Sequence, residues 1–525
     1  MRVAIVGCGP KGLYALERLV AHARAADLRS AIAVDVYEPH PVPGAGPVYD
    51  PAQPRFLRMN FAADMVDIWP AGSGLGPSFS EWRKGVPGLS DESYPPRADV
   101  GRYLNDGFER LVSTAAEFLD ISVRATGVNG IRREGETWSV IAGDDLSEYD
   151  EVLLTTGHAP SWDGGLGSGM SPPENLIGAV FPVETHLSAE TVPPGSAVSV
   201  RGFALTMIDA ALALTEGRGG TFREGRAHHL LAYDPSQNDV ARILPYSRTG
   251  RPMLAKPDPA LAPSSGELDE IAASGSAALM SLPEQARLAD AVAHVANVAS
   301  ESLRVLGVQD DSEIRRHLDD AQSGRSTPAG ISPAEEIERS IAVGVGQGEP
   351  GADWALGHAW RGVYPALVDR LGADGLDTAD WPAFRRLGTE MERISFGPPP
   401  VNAAKLLALI EGGKVDLGNL ATGPAPEADI VIDAVLPPPG ALDINHAPLD
   451  ALLRDGHARI PLGRRGLELT ADVTCVGADG VPRRGLGAIG RPTEDWVIGN
   501  DTLNRALHPQ PELWARRIAE RAASA

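Results

Sequence analysis

The chain runs to 525 residues, 43% of them hydrophobic and 22% charged, too long for one ordinary core, so two or three soluble globular domains are expected. A formal net charge of -23 argues against nucleic acid or an anionic membrane surface as the main partner, though not against a local basic pocket. The two cysteines, Cys8 and Cys475, argue against a disulfide framework and form no CxxC redox centre, which suits a reducing cytosol.

RVAIV at the N-terminus reads as a strand. Its apolar run is too short for a secretion signal, and no stretch approaches the roughly 18 apolar residues of a membrane span, so a cytoplasmic protein is expected. A glycine turn follows, then a helix from Lys11 to about Ala26 and a second buried strand, AIAVDVYE. Residues 41 to 76 are rich in Pro and Gly and should form long connections near a ligand. ADVGRYLNDGFERLV has helical spacing, and YDEVLLTTGH is a buried strand ending in a small-residue turn. Beyond the linker DGGLGSGMSPP comes a second strand–turn–helix, SAVSVRGFALTMIDAALAL. Setting Gly202 on Gly7 puts Val198 on Val3 and Val200 on Ile5, a weak internal repeat. AHHLLAY lies where the second strand of that repeat belongs. From about 257 to 395 the pattern turns helical and polar. NAAKLLALIEGG is a helix with a glycine stop, ADIVIDAVLPPPG a strand with a Pro-rich exit, and DWVIGNDTLNR a strand running into a helix start. Strands alternating with helices imply a parallel, doubly wound α/β sheet.

The turn GCGPKG has the spacing of a phosphate cradle. Gly7 permits the tight turn, Gly9 lets the backbone approach a pyrophosphate, and Gly12 lets the helix pack close to the strand. Amides at the helix start then hold the anion. Glu38 closes the second strand 31 residues after Gly7, where a carboxylate can accept from an adenosine ribose. A bound dinucleotide is expected here.

GCGPKG, VYEP and LLTTG together resemble the two-dinucleotide-fold flavoproteins. More specifically, PGAGPVYDP, RMNFAADMVDIW, YPPRADVGRYL, TEGRGG, ISFGPPPVNAAKLLAL and GNDTLNRALH look like a bacterial group described as FAD-NAD(P)-binding proteins. Part of that group resembles N-hydroxylating flavin monooxygenases, including enzymes that oxidise the amino group of aspartate. The resemblance implies an α/β fold with two Rossmann-like dinucleotide-binding domains, a discontinuous FAD domain plus an NAD(P) domain, with a helical insertion. It implies FAD-binding parts at 1–175 and 441–525, an NAD(P)-like domain at 176–256 and 396–440, and the insertion at 257–395. By the same resemblance Gly7, Gly9, Pro10, Lys11 and Gly12 would hold the FAD pyrophosphate and Glu38 its ribose. Thr155, Thr156 and Gly157 would pass the adenine side, and Arg58 and Asn60 would approach the flavin ring. The closing Gly-Asp of such flavoproteins matches Gly499 and either Asn500 or Asp501, since an asparagine intervenes.

The second turn, Gly202-Phe203-Ala204-Leu205-Thr206-Met207, keeps the first glycine only. A Cβ at 204 crowds a pyrophosphate, and Met207 stands where Gly or Ala allows close packing. A transient NADH or NADPH suits such a site; so does a leftover fold used as scaffold. Asp234 follows HLLAY 32 residues after Gly202, and an acid there favours the free ribose of NADH. Arg248, with Arg218, Arg242 and Arg251, could instead take the 2′-phosphate of NADPH.

A flavin carries the hard chemistry, so no protein nucleophile or metal motif is required. A disulfide reductase lacks its cysteines here, and no WxWxIP run marks a halogenase. The expected function is an FAD-dependent NAD(P)H oxidoreductase, with a monooxygenase acting on the nitrogen of a small amine or amino acid as the leading reading. A reductase of another small molecule, or a non-catalytic FAD-binding protein, remains open. Arg58, Arg97, Arg248 and Arg361 could clamp a substrate carboxylate, or serve as ordinary salt bridges or phosphate contacts. Asn60, Arg58 and Arg97 are the candidate catalytic residues.

Overall fold

The computed structural model describes residues 1–70, 73–89, 91–169, 171–309, 311–325 and 330–524. The chain forms two compact units: unit 1 is 1–52, 63–164 and 437–525, and unit 2 is 53–62 and 165–436.

Unit 1 begins with β1 (Arg2–Val6), α1 (Pro10–Ala25) and β2 (Ile32–Tyr37). Pro10 stands at the first helical position, where its fixed φ suits a helix start. Leu13, Leu16, Leu19 and Val20 give α1 its buried face. The short α2 (Phe79–Lys84) carries a Ser78–Glu81 capping box and precedes α3 (Arg97–Ala115) and β3 (Leu119–Arg124). β4 (Gly130–Glu134), β5 (Thr137–Ala142) and β6 (Asp145–Tyr149) make a separate antiparallel meander. β7 (Glu151–Leu154) then returns beside β1, pairing Ile5 with Leu153, and β8 (Ser161–Trp162) follows.

Unit 2 contains β9 (Leu176–Ile177), α4 (Val183–His186), β10 (Ala197–Arg201), α5 (Leu205–Ala213), β11 (Thr221–Glu224), β12 (Leu231–Asp234) and β13 (Arg242–Tyr246). The helices α6 (Gly266–Met280), α7 (Leu288–Val305), α8 (Ser312–Ser323), α9 (Pro333–Gly344), α10 (Ala352–Leu371) and α11 (Trp381–Ser395) come next. α12 (Pro400–Glu411) and β14 (Ile430–Asp433) complete the unit. Its sheet has the order β13-β10-β14-β9, all parallel. β10 repeats β1 at the register set by Gly202 on Gly7, 195 residues on.

The chain re-enters unit 1 with β15 (Ile444–Asn445), which pairs with β8, then α13 (Ala447–Arg454), β16 (Thr474–Val476), β17 (Pro482–Ala488) and α14 (Gln510–Ala523). The main sheet has the order β16-β17-β7-β1-β2-β3, parallel except at β16–β17. α14 packs on α1, and its Arg517 and Arg521 bind the buried Glu151 at the start of β7. The expected α/β class with two dinucleotide-type sheets and a helical insertion is therefore what the chain adopts.

Two local expectations are corrected. AHHLLAY is not the second strand of the repeat: β12 pairs only with β11 in an exposed hairpin, while β13 lies beside β10. A strand of a parallel sheet covered on both faces must be apolar on both, and β13, though at the sheet's edge, buries Ile243 and Leu244 completely whereas β12 stays half-exposed. DWVIGND forms no strand; Val497 and Ile498 are buried in turns held by the Asn500 amide and the His508 ring. The strand that extends the sheet at that end is the glycine-rich β17. Residues 53–62 group with unit 2, because Leu57 and Phe56 pack into its core around β10, α5 and α12. Ile337 and Ile341 of α9 join the same core, so the helical insertion is built onto that nucleotide-type sheet.

Candidate functional site

The first turn in unit 1 has the three glycine roles in atomic form. Gly7 has φ +93, and a Cβ there would lie 2.5 Å from Thr155 O, so both conformation and β7 require glycine. A Cβ at Gly12 would lie 2.5 Å from Gly7 O, so α1 can sit this close only without a side chain. A Cβ at Gly9 meets nothing within 4 Å, leaving open space where the second glycine admits a ligand. Gly9 is also the N-cap of α1, with no side-chain cap and no acid in the first turn. The orphan amides and the positive dipole end are thus available to an anion.

Polar groups surround this opening. Glu38 is buried, its two oxygens accepting from Cys8 N at 2.7 Å and His40 N at 2.8 Å. Those bonds fix the carboxylate against the turn and leave each oxygen a further lone pair. Thr155 Oγ1 donates to Gly7 O, whereas Thr156 Oγ1 is buried with no hydrogen-bond partner. Gly157 has φ +68 with open space at its Cβ. Lys11 is pushed down to about 8 by burial, opposed by the charge of Asp501. His158 is lowered to about 4 by burial and by Arg491, so it is neutral at pH 7. An orphaned hydroxyl, a capless helix and a glycine facing empty space are what a bound dinucleotide would satisfy.

The closing segment is more particular than expected. Asn500 is buried and its Nδ2 donates to Glu494 Oε2 at 2.8 Å and Val497 O at 3.1 Å, so it locks a turn. Asp501 is exposed and pairs with Arg491 Nη1 at 3.1 Å. The turn directly after β17 is Gly490-Arg491, and a Cβ at Gly490 would lie 3.2 Å from Lys11 Cγ. The glycine-rich strand hides this turn in the sequence, although GLGAIG is a readable signal.

In unit 2, Gly202 N donates to Tyr246 O at 2.8 Å, as Gly7 N donates to Tyr37 O at 2.9 Å. The residues after the second strand are therefore Ser247 and Arg248, in the place held by Glu38 in unit 1. Asp234 instead ends the hairpin, exposed and paired with Arg223 at 3.0 Å. Arg218 donates to the carbonyls of Leu187, Ser188 and Val192, Arg242 pairs with Asp416, and Arg251 with Glu336 and Glu390. Arg248 is exposed and makes no ion pair among the described residues. α5 starts at Ala204 with no side-chain cap and no acid in its first turn, and Thr206 and Met207 are buried.

Asn60 and Arg58 lie in the 53–62 segment of unit 2, whereas Arg97 opens α3 in unit 1. Asn60 Nδ2 donates to Phe396 O at 3.0 Å, and its backbone oxygen accepts from Lys256 Nζ at 2.8 Å. Lys256, which no motif singled out, lies over the rings of Phe61 and Phe396. Arg361 donates to Ser395 O and lines a cavity of about 600 Å³ with Arg251, His317, Glu336 and Asp353. One wall of that cavity is a buried ion network. Arg393 and Arg251 bridge Glu336 and Glu390, and His317 lies 3.2 Å from Asp353 and 2.7 Å from Glu390. Those two carboxylates raise His317 to about 9 against its burial. Among the described residues no cluster of His, Cys, Asp or Glu could hold a metal ion, and no helix is long and apolar enough to cross a membrane.

A parallel sheet, a capless helix and a glycine facing open space define a dinucleotide-binding α/β protein. Residues 4–159 match the family described as FAD-NAD(P)-binding, which bears out the resemblance read from the motifs. The chain is 29% identical to an L-aspartate N-monooxygenase (nitrosuccinate-forming) of Streptomyces cremeus, over 95% of this chain and 91% of that one. It is 34% identical to a nitrosuccinic acid synthase of Aspergillus oryzae, over 49% of this chain and 41% of that one. The ornithine N-hydroxylase of Kutzneria sp. 744 aligns in structure over 99% of both chains, with 12% identity and a TM-score of 0.48.

Proposed function

We propose that the chain is an FAD-dependent, NADPH-using monooxygenase that hydroxylates the amino nitrogen of a small amino acid. The observation that carries this reading is the similarity to an aspartate N-monooxygenase, which covers 95% of the chain. The net reaction puts one oxygen atom of O2 on the substrate nitrogen and the other into water, with NADPH supplying two electrons.

Bound FAD supplies the redox chemistry: it accepts hydride and activates oxygen. The chain's own residues hold and shield it. The N–H groups of Gly9, Lys11 and Gly12 at the start of α1 would hold the pyrophosphate, with Lys11 adding charge. Glu38 accepts from the ribose hydroxyls, Thr156 Oγ1 gains a partner, and Asp501 rather than Asn500 meets the ligand at the closing segment. In unit 2, Arg248 takes the 2′-phosphate of NADPH, because the position homologous to Glu38 carries no acid to favour a free 2′-hydroxyl. Asn60, fixed through Phe396 and Lys256, contacts the substrate. Arg58, in the same segment as Asn60, supplies positive charge to a substrate carboxylate.

The test is to incubate FAD-loaded protein with NADPH, oxygen and a panel of amino acids, L-aspartate first. The reading requires an amino-acid product heavier by oxygen, with oxygen uptake exceeding peroxide release. NADPH oxidation returning all its oxygen as peroxide with every substrate refutes it.

A further inference from the structure

We infer that Lys256 is a specificity-determining residue that receives a carboxylate of the substrate, so that the natural substrate is an acidic amino acid or other small carboxylate. This deepens the function proposed above and rests on it for the identity of the reaction.

The geometry around Lys256 is that of a cation without an anion. Its ammonium donates to one neutral acceptor, Asn60 O, at 2.8 Å. The rings of Phe61 and Phe396 lie 5.8 and 5.4 Å away by their centroids, close enough for cation–π attraction but offering no negative charge. Lys256 forms no ion pair among the described residues, although acids outnumber bases by 70 to 47 in this chain. The other lysines of unit 2 differ: Lys405 meets Glu216, and Lys414 meets Asp239. An ammonium has three donors, so two remain for a ligand. Asn60 donates through Nδ2 to Phe396 O and keeps Oδ1 as an acceptor, one residue from the ring of Phe61. A carboxylate on Lys256 and an amino group on Asn60 Oδ1 are complementary to the two ends of an amino acid.

The choice of lysine also fits. Of the 47 basic residues only five are lysines, so arginine is the chain's usual permanent charge. A lysine exchanges its proton far more readily. Burial pushes Lys256 down to about 7, and Arg361 of α10 is the charged group that adds to the shift. Asn60, Phe61, Phe396 and the Pro398 carbonyl bonded to its own N–H are uncharged neighbours. An arriving carboxylate favours the ammonium, so binding above pH 7 draws a proton from solvent.

Isothermal titration of the FAD-loaded protein, run at pH 6 and pH 8 in two buffers of different ionisation enthalpy, reads that proton directly. The probes are L-aspartate, succinate and ethanolamine. Aspartate and succinate should take up close to one proton per site at pH 8 and almost none at pH 6, with affinity about tenfold weaker at pH 8. Ethanolamine should take up none. Lys256→Met should lose both the proton uptake and at least tenfold in affinity. Lys256→Arg, which keeps the charge and guards against misfolding, should bind without uptake. Unchanged uptake and affinity in Lys256→Met, or no binding of either carboxylate by the wild type, overturns the inference. If succinate draws a proton through Lys256 yet no amino acid is hydroxylated, the carboxylate site stands and the reaction assignment falls. If aspartate is hydroxylated and Lys256→Met binds it as before, the reverse holds.

Discussion

The two strand–turn–helix elements share a backbone plan and part company at the atoms that would face a ligand. Each turn begins with a positive-φ glycine whose N–H reaches the last carbonyl of the second strand, at 2.9 Å in unit 1 and 2.8 Å in unit 2. In unit 1 that glycine is also pressed on Thr155 O, whereas at Gly202 the nearest atom to a Cβ is 3.4 Å away, ordinary contact. Gly9 faces open space; Ala204 puts a methyl group at the same position. Gly12 lets α1 settle onto the turn, while Met207 fills the core beneath α5. Glu38 follows one second strand, and Ser247 and Arg248 follow the other. On the function proposed above, the same fold would build a tight cradle for a resident cofactor and a looser one for a passing cofactor with an extra phosphate.

The comparison breaks most directly at the first glycine. Gly7→Ala combines a forbidden φ with a 2.5 Å clash, and about 3 kcal/mol of strain weakens FAD at least a hundredfold; flavin absorbance of the purified variant checks it. Gly202→Ala carries only the conformational cost of about 1–2 kcal/mol, so the KM for NADPH should rise roughly tenfold with flavin content unchanged. Equal effects at the two glycines would contradict the distinction.

The units should also differ in their response to pH. His317 is raised to about 9 in the folded protein against its ordinary 6.5. Its stabilisation of unit 2 is therefore complete below about pH 6.5 and lost as pH rises through 9. The side chain is almost fully buried, so up to about 3 kcal/mol is at stake. Thermal unfolding followed between pH 6.5 and 9.5 should show a falling midpoint that flattens in His317→Gln.

Arg248→Ala should raise the KM for NADPH about thirtyfold, the cost of one charge-assisted phosphate contact of roughly 2 kcal/mol, and leave that for NADH nearly unchanged. The smallest effect is a gain. Ala204→Gly restores the open second position and should lower the KM for NADPH about threefold, a change of roughly 0.6 kcal/mol. Steady-state kinetics with both nicotinamides reads both variants.

Much of this was legible in the residues alone. GCGPKG between two apolar strands announced β1–α1–β2, and the alignment of Gly202 on Gly7 gave the register of β10. What local pattern could not rank were competing apolar runs. HLLAY and RILPY look alike until the sheet shows which is covered on both faces, and that difference moves the second-strand position from Asp234 to Ser247. WVIG looks more strand-like than GLGAIG, yet backbone pairing with β7 favours the latter, since its glycines let the strand pass close to Trp138 and Asp150. Asn60 stood out through its motif. Lys256 did not, because it lies alone in a proline-rich connection, and only folding brings it to Asn60 and the two phenylalanine rings.

Gel filtration of the purified protein followed by anaerobic NADPH titration tests the unequal division most directly. The account predicts close to one FAD per chain carried through the column, stoichiometric bleaching of the flavin by NADPH, and release of NADP+ into solution. Colourless protein, or a nicotinamide nucleotide that stays bound while FAD is lost, would contradict it.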